Sequence, residues 1–81
     1  MLSYALRLSG RYDGMVIATI PDVPEARAIG RDDEEACEQA LCALEAVLEA
    51  YQEEGRPIPE PRATGSLQVT TTKYILVLAE A

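Results

Sequence analysis

Four aspartates, Asp13, Asp22, Asp32 and Asp33, are the side chains in this sequence best suited to chemistry. Clustered carboxylates hold paired divalent ions in nucleases and similar enzymes. Each of the four also has a local explanation. Asp13 precedes Gly14 in a turn-forming pair. Asp22 follows Pro21 in a loop. Asp32 suits a helix N-cap, and Asp33 suits the positive end of a helix dipole. None falls in mid-strand, where a rigid scaffold would fix a metal site. The local explanations are preferred, so no catalytic residue, metal ligand or cofactor is expected. The sequence has no histidine, which removes the commonest metal ligand and the commonest general base.

Cys37 and Cys42 offer little more. Both fall in one predicted helix, five positions apart, and so point about 140° away from each other. Their Cα atoms would lie roughly 8 Å apart, too far for a disulfide. No second ligand pair exists for zinc. Small apolar filling is the expected role of both.

The elements that would position these residues can be traced along the chain. Leu2, Tyr4, Leu6 and Leu8 alternate with Ser3, Arg7 and Ser9, the period of a half-buried strand. Asp13-Gly14 turns the chain, and residues 15–20 form a second strand rich in β-branched side chains. Pro21 stops it. Residues 26–29 make a short third strand, closed by Gly30. Asp32 then caps a helix, with Glu35 three residues on in a capping-box arrangement. Ala36, Ala40, Leu41, Leu44, Val47, Leu48 and Tyr51 recur at spacings of three and four, one apolar stripe about six turns long. Gly55 suits the C′ position and Pro57 cannot continue the helix. Pro57, Pro59 and Pro61 stiffen the next connector. Residues 67–79 read as a last strand, and residues 74–79 are apolar at both parities, as in a strand covered on both faces. The order is β-β-β-α-β: an α+β domain with one antiparallel sheet and one long helix packed on one face.

Composition fits a single small domain. The chain has 81 residues, of which 48% are hydrophobic, with four Tyr and neither Trp nor Phe. A domain this size buries only about 60% of its unfolded surface, so a homodimer or homotetramer is expected. The net charge is −7, from 14 acids and 7 bases. Direct DNA or RNA binding is not expected, because phosphate contacts need clustered Lys and Arg. Arg7, Arg11, Arg27 and Arg31 could gather on the sheet side, a weak nucleic-acid signal that a neighbouring subunit's acids would also explain. No signal peptide or membrane span is read, and free thiols indicate the cytoplasm.

The acids are unevenly placed. Asp32, Asp33, Glu34, Glu35, Glu38, Glu45, Glu49, Glu53 and Glu54 lie in the helix or its caps, with no Lys or Arg among them. No i,i+4 ion pair offsets their repulsion, and Glu53 and Glu54 sit where the dipole disfavours anions. Stability alone would not choose this pattern. Glu38, Glu45 and Glu49 are candidate contacts for a basic partner, against the plainer alternative of a solvated face. Tyr12, at the hairpin tip, is a fourth candidate, against the alternative of folding back on the sheet.

Several of these elements together resemble the HicB-like antitoxin family. They are Asp13-Gly14, a strand ending in Ile20-Pro21-Asp22, then Gly30, then Asp33-Glu34-Glu35-Ala36 opening a helix. Glu54-Gly55-Arg56-Pro57-Ile58-Pro59-Glu60-Pro61 completes them. The resemblance covers residues 4–61. The sequence departs from the family's usual pattern at Pro24-Glu25, where a Pro-Gly pair is common, and at Asp32, where Thr or Ser usually caps. The resemblance implies a reduced ribonuclease-H-like fold, and a protein that binds and occludes a small basic RNA-cleaving toxin. Residues 1–81 are expected to form one such domain without the C-terminal DNA-binding domain that many relatives carry. Two alternatives stand beside this: a solitary homo-oligomeric binding domain without a toxin, and a residual metal-dependent nuclease.

Overall fold

The computed structural model describes residues 2–73. Its elements are β1 (Leu2–Ala5), β2 (Arg7–Leu8), β3 (Val16–Thr19), β4 (Arg27–Gly30), α1 (Asp33–Glu53) and β5 (Gln68–Thr71). The fold is α+β, with one helix against antiparallel strands.

The single expected sheet is divided into two ladders. β1 pairs with β5, Leu2 opposite Thr71, while β2 pairs with β3 and β3 with β4. The division falls at Leu6. Leu2, Tyr4 and Leu6 face the core up to it, with Ala5 also buried, but the hydrogen-bonding partner changes edge. The Leu6 amide donates to the Leu67 carbonyl at 3.0 Å, closing the β5 side just as the β3 side begins. The last strand also ends earlier than expected, at Thr71, with bends at Thr72 and Lys73. The apolar run at residues 74–79 lies outside the described residues.

The hairpin follows from its turn. Asp13 and Gly14 both take positive φ, 54° and 78°, as a two-residue type I′ turn requires. Tyr12 and Met15 exchange backbone hydrogen bonds across it at 2.7 and 2.9 Å.

The helix begins and ends as its sequence dictates. The Glu35 amide donates to Asp32 Oδ1 at 2.8 Å. The reciprocal half of the capping box is displaced by one residue, since Glu35 accepts from the Arg31 amide at 3.1 Å. At the other end, Gly55 has φ 71°. Its amide reaches the Gln52 carbonyl and that of Arg56 reaches Tyr51, at 3.1 and 2.8 Å, which is a Schellman closure.

Ala36, Ala40, Leu44, Leu48 and Tyr51 are the buried residues of α1. The first four pack with Leu2, Tyr4, Leu6, Val16, Ala18, Ile20, Val23, Ala26 and Val69 in one core. Gly30 lets the helix start close to β4, because a Cβ there would lie 2.3 Å from the Ala36 nitrogen. Cys37 is partly buried against the core, as expected, but Cys42 is exposed and fills nothing. Its position on the stripe explains this, since it lies on the solvent side of the buried residues.

Candidate functional site

Two groups of polar side chains stand out, and they do different things. The first surrounds the end of the helix and the proline-rich connector. Asp22 accepts from the Arg62 amide at 3.0 Å and from the Ala63 amide at 2.9 Å through Oδ2. The Tyr4 hydroxyl donates to the Pro59 carbonyl at 2.6 Å. Burial, followed by the negative charge of Asp22, pushes the Tyr4 phenol up to about 12. The Tyr51 hydroxyl donates to Glu25 Oε2 at 2.6 Å. That bond lowers the Glu25 carboxyl and raises the Tyr51 phenol from their ordinary values. Arg56 completes the group, stacked 4.0 Å over the Tyr51 ring. Glu25, the departure from the usual Pro-Gly pair, is therefore a tie between the loop and the helix end.

This arrangement binds chain to chain. Asp22 spends its oxygens on backbone amides and Asp32 on its cap, while Asp13 supplies a positive-φ residue of the turn. Among the described residues, no three carboxylate, thiol or imidazole side chains converge on a point where a metal ion could sit.

The second group is the acidic back of α1. Glu38 and Glu49 are exposed. Glu45 lies on the same stripe, but it is half-buried and engaged. Its Oε2 accepts from Thr71 Oγ1 at 2.7 Å, and Lys73 Nζ lies 3.9 Å from Oε1. Sequence periodicity placed the three acids on one face, but it could not show that β5 ends beside the middle one. At the helix end, Arg56 lies 3.4 Å from Glu54, which partly offsets the unfavourable charge there. Tyr12 stands 76% exposed at the hairpin tip, away from the sheet it could have covered. It stands on the hairpin, a different element from the helix that carries the three glutamates.

The arginines gather only in part. Arg7 and Arg27 flank Thr19 in one row on the sheet face opposite the helix. Arg11 instead approaches the Arg31 carbonyl at 3.4 Å, and Arg31 pairs with Glu35 at 3.1 Å.

The described residues thus form a small α+β domain with a strand ladder on each edge of its first strand and an acid-rich helix. Comparison with known proteins gives the family. Residues 3–78 match the HicB-like antitoxin family of bacterial toxin–antitoxin systems, and the chain belongs to it. It is 38% identical over 64 residues to the protein named Antitoxin HicB 1 of Photorhabdus laumondii, which covers 79% of this chain and 41% of that relative. The chain thus spans about two fifths of that relative's length. The fold also matches the crystal structure of the N-terminal domain of Burkholderia pseudomallei antitoxin HicB. The TM-score is 0.68 at 20% identity, covering 78% of this chain and 74% of that one.

Proposed function

We propose that this chain neutralises a small basic RNA-cleaving toxin by covering its active site, in the cytoplasm and without catalysis of its own. Membership of an antitoxin family supports a toxin partner. The observation that carries the basic character of that partner is the helix itself, with nine acids in α1 and its caps and no base among them. Glu38 and Glu49 are the exposed members of the proposed contact face, and Glu45 joins them at its β5 border. Tyr12 is proposed as a separate aromatic anchor. Complementary charge of this kind acts mainly on the rate of encounter.

Pull-down of the tagged protein from its native lysate, followed by mass spectrometry, tests the reading. A small basic protein recovered near equal stoichiometry supports it, and recovery of the chain with no such protein overturns it. With the partner in hand, Glu38→Gln with Glu49→Gln should slow association and flatten its salt dependence. Unchanged kinetics would remove the helix face from the interface.

A further inference from the structure

The bases of this chain divide into two sets. Arg31, Arg56, Arg62 and Lys73 each lie within 4.0 Å of a carboxylate. Arg7, Arg11 and Arg27 have no carboxylate partner among the described residues, and the side chains of Arg7 and Arg27 make no hydrogen bond there. On a chain with 14 acids and 7 bases, cations left without acids are the exception. Their placement is as selective as their lack of partners. Arg7, Thr19 and Arg27 stand opposite one another on β2, β3 and β4. The core takes the residues of the other parity, Val16, Ala18 and Ile20. Arg7 and Arg27 therefore rise from the open face of the sheet, away from α1 and its acids.

The next row of the same face is apolar. Ile17 and Ile29 are cross-strand neighbours there, 36% and 55% exposed. Ile17, Arg27, Ala28 and Ile29 line a shallow recess. An exposed arginine or an exposed isoleucine is ordinary on a protein surface. Unpaired arginines beside an apolar recess match a ligand with an apolar stripe and anionic margins. The acids that follow β4 in sequence do not compete for the site, since Glu35 is engaged by Arg31 and Asp32 by the helix cap.

We propose that this face, with Arg7 and Arg27 at its charged row and Ile17 and Ile29 at its apolar row, docks an acidic amphipathic helix of a partner protein. Charge selects the occupant. A basic partner would meet the two arginines, and the same face of a second copy would bring two more. Nucleic acid is the poorer fit, because no aromatic ring stands in these two rows for a base to stack on. Spacing agrees with a helix. Neighbouring strands lie about 4.8 Å apart, so the backbones of Arg7 and Arg27, two strands apart, are separated by about 9.6 Å. Carboxylates seven positions apart on one helix face are separated by about 10.5 Å. A helix lying across the three strands thus brings one carboxylate to each arginine. Apolar residues three and four positions on share its face and meet the isoleucines, about 6.8 Å further along the strands. The acidic back of α1 does not prevent this approach. The helix is about 10 Å thick, and at physiological salt charges are screened over about 8 Å.

The test uses the whole 81-residue chain. The probe is a dye-labelled peptide of about 15 residues, built from the helix formers Glu, Leu and Ala, with glutamates seven positions apart and leucines between them on one face. Fluorescence anisotropy at physiological salt should show saturable binding to the parent chain. Arg7→Gln and Arg27→Gln should each weaken it about threefold, and together about tenfold, the range for exposed ion pairs. Ile29→Ser should weaken it by a similar factor with no change of charge. Arg62→Gln, which removes the same charge from the connector, should leave it unaltered. All these side chains are exposed, and circular dichroism checks that each variant keeps the parent's fold. A parent chain that binds no peptide overturns the proposal. Equal weakening by Arg62→Gln overturns it as well, since net charge alone would then explain the binding. Retention of single-stranded RNA in place of the peptide, lost on Arg27→Gln, would assign the face to nucleic acid. A parent oligomer that falls to the monomer mass in light scattering on Arg7→Glu with Arg27→Glu would assign it to a second copy. No toxin enters these measurements, so their outcome is independent of the antitoxin reading.

Discussion

The hairpin turn at residues 12–15 and the connector at residues 55–66 are both short and both ordered, but for opposite reasons. The turn is fixed by its own residues: Asp13 and Gly14 adopt the required positive φ and two backbone bonds close it. After the Gly55 cap, the connector has proline stiffness but no ladder. It is held from outside, by Asp22, about forty positions earlier, and by the Tyr4 hydroxyl from the first strand. Local order needs the right residues in sequence, whereas imported order needs a finished fold around it.

That contrast can be broken from the connector side most forcefully. Asp22→Ala should cost about 2 kcal/mol, the range for hydrogen bonds to a charged group, and trypsin should then cut after Arg62 faster than in the parent. An unchanged cleavage rate would mean that the connector holds itself. Gly14→Ala should cost about 1–2 kcal/mol through the strain of positive φ, measured by urea unfolding, with no change in cleavage at Arg62. Were that cut to accelerate as well, the two regions would not be separable.

Tyr4→Phe should cost about 1 kcal/mol by leaving the Pro59 carbonyl without its donor. It should also abolish a distinct titration. In the folded protein one phenol should ionise near 12, against 10.0 for an ordinary tyrosine. The stabilisation from the neutral phenol is therefore complete below pH 10.0 and is lost as pH rises towards about 12. An absorbance titration identical before and after the substitution would contradict this. The smallest effect belongs to Tyr51→Phe. Glu25 is held below its ordinary 4.5 first by the Tyr51 hydroxyl, so this tie is at full strength above that value and fades as pH falls below it. The substitution should lower stability slightly at neutral pH, flatten the acid limb, and leave stability nearly unchanged in acid, where the tie has already faded.

The same distinction explains what the sequence disclosed. The turn, both helix caps and the buried stripe of α1 were legible because their signals lie within a few residues of the structure they make. The break at Leu6 was not, because Leu2, Tyr4, Leu6 and Leu8 keep the period of one strand and only the positions of β3 and β5 change the partner. The loop position of Asp22 is legible from Pro21 beside it, but its two backbone partners lie beyond any local pattern. Glu45 showed its face but not its engagement with Thr71, a contact made only once β5 is in place. Cys42 departs from the usual burial of cysteine because its helical position is on the solvent side. Glu25, a departure from the family's usual pair, acquired a use only when Tyr51 stood above it.

The pairing of Leu2 with Thr71 bears on how the protein is made. The first strand of the described fold is completed by a strand encoded near its other end. While the hairpin and helix can form as they emerge, one edge of β1 waits unpaired until the chain through Thr71 is available. Loop closure over that span is also the slow kind of contact to form. The seam along β1 is therefore the part of the described fold that closes last in chain order.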